Sequence, residues 1–311
     1  MTRPAEGRRE PVLVLLGPTA VGKTAIGVEV ARRVDGEIIS ADSRAFFAGL
    51  DVVTAKPTVA ERAGIAHHLV DAVPIDASYD AMAFRRDIER LVPEIVGRGR
   101  VPLLVGGGTL YLGAVLRGIF DGPSKDEAFR ASLAGAASAA LHRRLRDVDP
   151  DAAQNIHPND RLRVVRALEV YEATGRPMSA WQAEAVPLPY DLVVFGLRRD
   201  RDDHRRAIAE RVAAMIEAGL VDEVERLVAR GLAPDAQAYR TIGIPETVAH
   251  LEGRSTQAEM EESIVAQTWS LARRQSAWFR RDSDVTWLDA SGRTVDELAT
   301  TIVARWRERT T

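Results

Sequence analysis

The segment Gly17-Pro18-Thr19-Ala20-Val21-Gly22-Lys23-Thr24 constrains this chain more than any other. It fits G-x-x-x-x-G-K-[ST] and lies between the apolar run Pro11–Leu16 and a stretch in which Ile26, Val30 and Val34 recur every four residues. A buried strand, a glycine turn and a helix in that order aim successive backbone N–H groups at one spot. The helix N-terminus adds partial positive charge there, and the result is a receptacle for phosphate oxygens. Lys23 supplies a compact point charge that a planar guanidinium would not replace, and the Thr24 hydroxyl is placed to hold Mg²⁺. The motif is silent on which molecule carries the phosphates.

The flanking pattern is that of a parallel α/β core. Glu37–Ser40 reads as a second buried strand and Val101–Val105 as a third, the latter running into Gly106-Gly107-Gly108. Between them, Phe84, Ile88, Leu91 and Ile95 mark a helix that Ser78 could cap, with Pro93 as a kink. From about residue 121 the strands stop. Helical patterns follow over Asp126–Val148 and Asp160–Thr174, the second closed by Gly175. Strand character returns at Leu192–Leu197 and Val285–Leu288, with long helical stretches at Asp203–Arg230 and Thr256–Arg281. Thr256-x-x-Glu259 and Thr294-x-x-Glu297 are capping boxes. The fold class expected is therefore α/β, a P-loop NTPase-like parallel sheet core (residues 11–120 and 190–311) with an inserted helical domain (residues 121–189).

Composition narrows the function. The 311 residues carry a formal charge of −3, which argues against a wholly basic nucleic-acid coat but leaves room for a local basic face. There is no cysteine, so disulfides, thiolate catalysis and thiolate-bound zinc are ruled out. No apolar run is long enough to span a membrane, and Met1–Glu10 is polar and charged rather than leader-like. A cytoplasmic protein without membrane contact is expected. Of 42 Lys and Arg residues only Lys23, Lys56 and Lys125 are lysine. That bias singles out each surviving lysine and weakens any argument from a single arginine cluster.

Asp42, in Ile39-Ser40-Ala41-Asp42-Ser43, follows the second strand. The carboxyl ends of parallel strands border the ligand crevice, so Asp42 should face whatever meets the bound phosphates, as a general base or in a magnesium shell. The third strand ends in glycines rather than the aspartate that motor and switch NTPases place there, which disfavours nucleotide hydrolysis. Arg211 lies on the apolar stripe Ile208, Val212, Met215, where a charge needs a carboxylate or a ligand as partner. Basic residues at Arg161, Arg163 and Arg166, and basic and aromatic residues interleaved over Arg273–Arg281, suit RNA phosphates and stacked bases or, more plainly, solvated helix faces. His67 and His68 read as structural.

These residues together carry a family likeness. GPTAVGKT, IISADS, the run Gly49–Pro57 (GLDVVTAKP), VPLLVGGGTLYL, His157-Pro158-Asn159-Asp160, Arg166-Ala167-Leu168-Glu169, Gly219–Val224 (GLVDEV) and Arg274-Gln275 resemble, in order, the tRNA dimethylallyltransferases, also called tRNA isopentenyltransferases. The resemblance spans roughly residues 11 to 290. It implies transfer of a dimethylallyl group from dimethylallyl diphosphate to N6 of the adenosine 3′ to the tRNA anticodon, with the base flipped into a channel. It further implies that Gly17 to Thr24 bind the diphosphate with Mg²⁺ on Thr24. By the same likeness Asp42 accepts the amine proton, and Lys23 and Arg211 stabilise the leaving group. Asp42, Ser43, Arg44, Ala45, Thr109, Leu162, Arg163, Arg166 and Arg240 would fall in segments that meet the anticodon stem-loop.

The chain departs from the family pattern at Gly108-Thr109, where the reacting-centre hydroxyl is moved or missing. It also departs at Phe47 and Ile244, where Tyr is common, and at Leu162, where Gln is common. Lys56 is expected either to face substrate or to order its loop. The rival readings are a small-molecule kinase of nucleoside or shikimate type and a non-enzymatic P-loop RNA-binding protein. A monomer is expected.

Overall fold

The computed structural model describes residues 9–310. Most of the polar N-terminal stretch Met1–Glu10 therefore lies outside the described residues. Within the chain, β1 (Pro11–Leu16), α1 (Lys23–Val34), β2 (Gly36–Ser40), a short α2 (Val59–Arg62), β3 (His67–His68), α3 (Ala81–Gly97), β4 (Val101–Gly106) and α4 (Thr109–Leu116) come first. Five helices follow: α5 (Glu127–Ser132), α6 (Ser138–Val148), α7 (Pro150–Asn155), α8 (Arg161–Thr174) and α9 (Met178–Ala183). The chain then runs through β5 (Asp191–Arg198), α10 (Arg201–Glu217), α11 (Leu220–Ala229), a single 3₁₀ turn at Ala238–Arg240, α12 (Ile244–Leu251), α13 (Gln257–Phe279), β6 (Thr286–Asp289) and α14 (Val295–Thr310).

The six strands form one parallel sheet in the order β3-β2-β4-β1-β5-β6. Leu13 of β1 pairs with Leu103 of β4 on one side and Val193 of β5 on the other. The central strand therefore has neighbours on both edges, and Val12 to Leu16 are all buried, as the unbroken apolar run requires. Helices α1 and α14 cover one face through Val30, Ile302 and Trp306. A second core joins Phe47, Leu50 and Val53 to α10–α13. The departures at Phe47 and Ile244 are core positions, both fully buried.

Two compact units result: the described residues up to Leu112 together with those from Pro189 onward, and Gly113–Leu188. The helical unit starts at Gly113, ahead of residue 121, and takes in Phe120, which packs on its core beside Leu145, Val164 and Leu168.

Several local expectations shift. Asp80, not Ser78, caps α3: its carboxylate accepts from the Ala83 N–H at 2.8 Å, and the helix runs on through Pro93. Asp126–Val148 is not continuous. It breaks between α5 and α6, where the guanidinium of Arg161 donates to the carbonyls of Leu133, Ala134 and Ala136 and so satisfies the ends of the turn. Asp203–Arg230 breaks at Gly219, whose φ of +94° starts a new helix in a new direction. The edge strand β3 was not evident in the sequence. The His68 Nε2–H there donates to the Glu37 carboxylate at 2.6 Å, and Arg98 closes on the same carboxylate at 2.7 Å. Both capping boxes form as expected, at Thr256/Glu259 and Thr294/Glu297.

Candidate active site

The loop between β1 and α1 is shaped by contacts that exclude side chains. A Cβ on Gly17 would lie 2.8 Å from the Leu197 carbonyl oxygen, and Gly22 holds φ +97° as it opens α1. Lys23 is the first residue of that helix. Its Nζ folds back and donates to the Pro18 carbonyl at 2.6 Å. Burial pulls the Lys23 ammonium down to about 7, against the opposing attraction of the Asp42 carboxylate and with added repulsion from Arg211. Thr24 is exposed on the same turn.

Asp42 sits in the turn after β2. One carboxylate oxygen accepts from the Arg44 N–H at 2.9 Å, a local turn that aims the rest of the carboxyl outward. The close approach of the end of β4 to this turn explains Gly106 and Gly108, and its approach to Gln275 and the Gly17 carbonyl explains Gly107. A Cβ on Gly106 would lie 2.3 Å from the Ala41 carbonyl carbon, and one on Gly107 would meet the Gln275 amide at 2.8 Å. Arg44 donates to the Gln237 carbonyl at 2.8 Å, which places its guanidinium beside the 3₁₀ turn that bears Arg240. Arg211 is half-buried, and its desolvation pulls its pKa below the ordinary arginine value, with Asp42 raising it. Its Nη2 donates to the Thr54 carbonyl at 2.8 Å, and among the described residues no carboxylate pairs with it.

Two cavities meet here. The first, about 660 Å³, is lined by Thr19, Ala20, Gly22, Lys23, Thr24 and Arg199 among others. The second, about 440 Å³, is lined by Ser43, Arg44, Thr109, Tyr111, Arg240 and Arg274 among others. Thr19, Asp42, Thr54, Gly107, Arg211 and Gln275 line both. An acid and a half-buried cation thus stand where a phosphate-type chamber opens on a second, arginine-rimmed one. Lys56 lines the first chamber, but its Nζ is engaged within its own loop: it donates to the Phe47 carbonyl at 2.7 Å and pairs with Asp51 and Asp71. It orders that loop.

Sequence reasoning missed Gln275 and His204. Gln275 accepts from the Thr19 N–H at 2.9 Å and donates to the Gly107 carbonyl at 2.7 Å, bracing the loop against the end of β4. His204 meets the Thr19 carbonyl at 2.8 Å from the other side, and burial lowers its pKa. Gln275 stands in the Arg274-Gln275 pair, so a signal existed; His204 carried none. Ala45 is buried. In the helical unit, Arg163 is exposed with a loose ion pair to Asp160 at 3.4 Å, and Leu162 is 74% exposed. Arg166 is held by Glu169 at 2.6 Å and by the Pro123 carbonyl. Of the interleaved segment, Phe279 is fully buried and Trp278 packs edge-on against it.

Fold and site together define an α/β protein of P-loop type with two joined chambers. The family described as IPP transferase matches residues 45–282, and a tRNA dimethylallyltransferase of Symbiobacterium thermophilum is 43% identical, covering 96% of this chain and 98% of the relative. The chain belongs to the tRNA dimethylallyltransferase (tRNA isopentenyltransferase) family, and is a transferase. A second relative, tRNA dimethylallyltransferase 2 of Geotalea uraniireducens, is 42% identical over 89% of this chain and 92% of its own. The crystal structure of the full-length tRNA isopentenylpyrophosphate transferase of Bacillus halodurans matches with a TM-score of 0.73 at 36% identity, over 97% of this chain and 98% of that one. A eukaryotic dimethylallyltransferase acting on tRNA matches with a TM-score of 0.76 at 26% identity, over 91% and 74%. Membership in this family removes the kinase and non-enzymatic readings. Among the described residues no helix is long and apolar enough to cross a membrane.

Proposed function

We propose that this enzyme transfers a dimethylallyl group from dimethylallyl diphosphate to N6 of the adenosine 3′-adjacent to the anticodon of tRNA, releasing diphosphate. The observation that carries the reading is the junction of the two chambers at Asp42 and Arg211. Diphosphate enters the chamber of Gly17–Thr24 and the flipped adenine enters the other, so amine and allylic carbon meet in line. The N6 lone pair forms the new C–N bond as the C–O bond breaks. The electron pair leaves with the diphosphate and the amine proton passes to Asp42. Lys23 and Arg211, both desolvated, stabilise the charge that develops on the leaving group.

Thr24 suits Mg²⁺. It is exposed in the first chamber beside Lys23, and among the described residues no three His, Asp or Glu side chains cluster to hold a metal unaided. Mg²⁺ is commonly held by one or two protein oxygens with substrate phosphates completing its shell. When bound, it would neutralise charge on the diphosphate. Ser43, Arg44, Thr109 and Arg240 on the second chamber, Ala45 on the first, and Leu162, Arg163 and Arg166 in the helical unit are the residues we assign to tRNA. We assign action as a monomer, in the cytoplasm where tRNA resides.

The test is direct. Unmodified tRNA and dimethylallyl diphosphate are incubated with the protein, the tRNA is digested, and the nucleosides are weighed. N6-dimethylallyladenosine from the position after the anticodon is the expected product. Unaltered adenosine, with ATP-dependent phosphorylation of a metabolite instead, would overturn the assignment.

A further inference from the structure

Arg211 owes its place at the junction to a loop that it does not itself order. Its guanidinium is tethered by the Thr54 carbonyl, so wherever that carbonyl goes, the cation follows. The loop preceding Thr54 is gripped from behind by Glu223, which is only 6% exposed. The Glu223 carboxylate accepts from three successive N–H groups: Asp51 at 3.0 Å, Val52 at 2.8 Å and Val53 at 2.9 Å. Lys56 fixes the far end through the Phe47 carbonyl, Asp51 and Asp71. Glu223 lines neither chamber.

The two grips come from one helical hairpin. Arg211 projects from α10 and Glu223 from the first turn of α11, and the two helices join at Gly219. The carboxylate thus holds the N–H side of a loop whose carbonyl side holds the guanidinium. We propose that Glu223 is a positioning residue for the transfer step: by fixing residues 51–53 it sets the Thr54 carbonyl, and through it the Arg211 guanidinium, at the point where the chambers meet. This rests on the prenyl-transfer reading above. Without Glu223 three loop N–H groups lose their acceptor, the Val53 N–H among them being buried, and the loop must move to find water. A shift of about 1 Å at a charge-stabilising group costs on the order of 10²-fold in rate.

The experiment is a double-mutant cycle between Glu223→Ala and Arg211→Ala, read by single-turnover transfer to tRNA well below the melting temperature. Glu223→Ala should slow transfer by about 10- to 100-fold in the otherwise native protein. In the Arg211→Ala background it should change the rate by less than about twofold, since the tether then has nothing to hold. Glu223→Gln keeps an acceptor oxygen and should fall between the two; it also carries the cycle if the alanine variant does not fold. Additive losses would overturn the proposal, as would rates that fall only as far as the melting temperature does. The same cycle is read on affinity for inorganic diphosphate. An inactive native protein that still shows coupling there counts against prenyl transfer and for the placement of Glu223, whereas additive affinities there count against Glu223.

Discussion

Burial of the Lys23 ammonium at the head of α1 makes its charge conditional. With its pKa pulled from 10.5 to about 7, the folded chain holds fewer protons on this group than the unfolded chain between those two values. Stability contributed at this site should therefore rise with pH across about 7 to 10.5, and be lost as pH falls towards 7. Diphosphate reverses the logic, because a bound anion favours the ammonium. We expect inorganic diphosphate binding at pH 8 to draw a proton onto the protein. Calorimetry in buffers of different ionisation enthalpy should detect it as a difference between the native chain and Lys23→Met, and an identical proton balance in both would exclude Lys23 as its source. At Asp42 the local turn with Arg44 leaves the carboxyl facing the junction. Asp42→Ala should leave diphosphate affinity nearly intact and slow transfer by roughly 10²–10⁴-fold. Equal loss of affinity and rate would reassign Asp42 to the metal site.

At the scale of elements, the site depends on how closely β2, β4 and the loop Gly17–Gly22 approach one another. Gly106→Ala would place a methyl 2.3 Å from the Ala41 backbone, so the ends of β2 and β4 must part. Overpacking of this kind costs about 1–3 kcal/mol, and chemical denaturation should register it together with weakened diphosphate binding. Gln275 performs the complementary task, its amide oxygen and nitrogen both engaged across the gap between Thr19 and Gly107. Glu has no donor for the Gly107 carbonyl. Gln275→Glu should therefore weaken diphosphate binding more than its small change in size suggests, while Gln275→Ala exposes the loop without adding a charge. If both variants bind diphosphate like the native chain, the brace is dispensable.

At the scale of the whole molecule, the sheet-bearing unit and the helical unit have separate cores, so damage to one should be readable apart from the other. Glu169 is the test point in the helical unit. Burial alone would raise its pKa, but hydrogen bonds from Arg130, Arg166 and the Asp126 N–H outweigh that and hold it at about 2. Its contribution is present above its ordinary value of 4.5 and fades as pH falls towards 2. Glu169→Ala leaves two guanidinium groups without their acceptor and should destabilise the unit by about 3 kcal/mol. Hydrogen exchange should accelerate in α5, α6 and α8 while β1 and β4 stay protected. Uniform acceleration across both units would mean that they unfold as one.

Much of this was legible along the chain. The strand-turn-helix around Gly17–Thr24, the capping boxes at Thr256 and Thr294 and the αL closure at Gly175 arise from groups a few residues apart. Local hydrogen bonds and side-chain periodicity therefore determine them. Lys23 stood out because a chain rich in arginine retained it, and its neighbours in sequence already explain why. The partners of Arg211, Lys56 and Arg161 were not legible, nor was the bracing by Gln275, which accepts from a residue 256 positions away. Whether a charge on an apolar stripe meets a carboxylate, a carbonyl or an open chamber depends on which distant segment packs against it. For Arg211 that segment is the loop at Thr54, 157 residues earlier. Local sequence sets the strand, glycine loop and helix around Gly17–Thr24 and the residue types on offer; tertiary packing alone brings Asp42, Arg211 and Gln275 to one junction, because long-range burial, not local backbone preference, sets which side chains share a cavity.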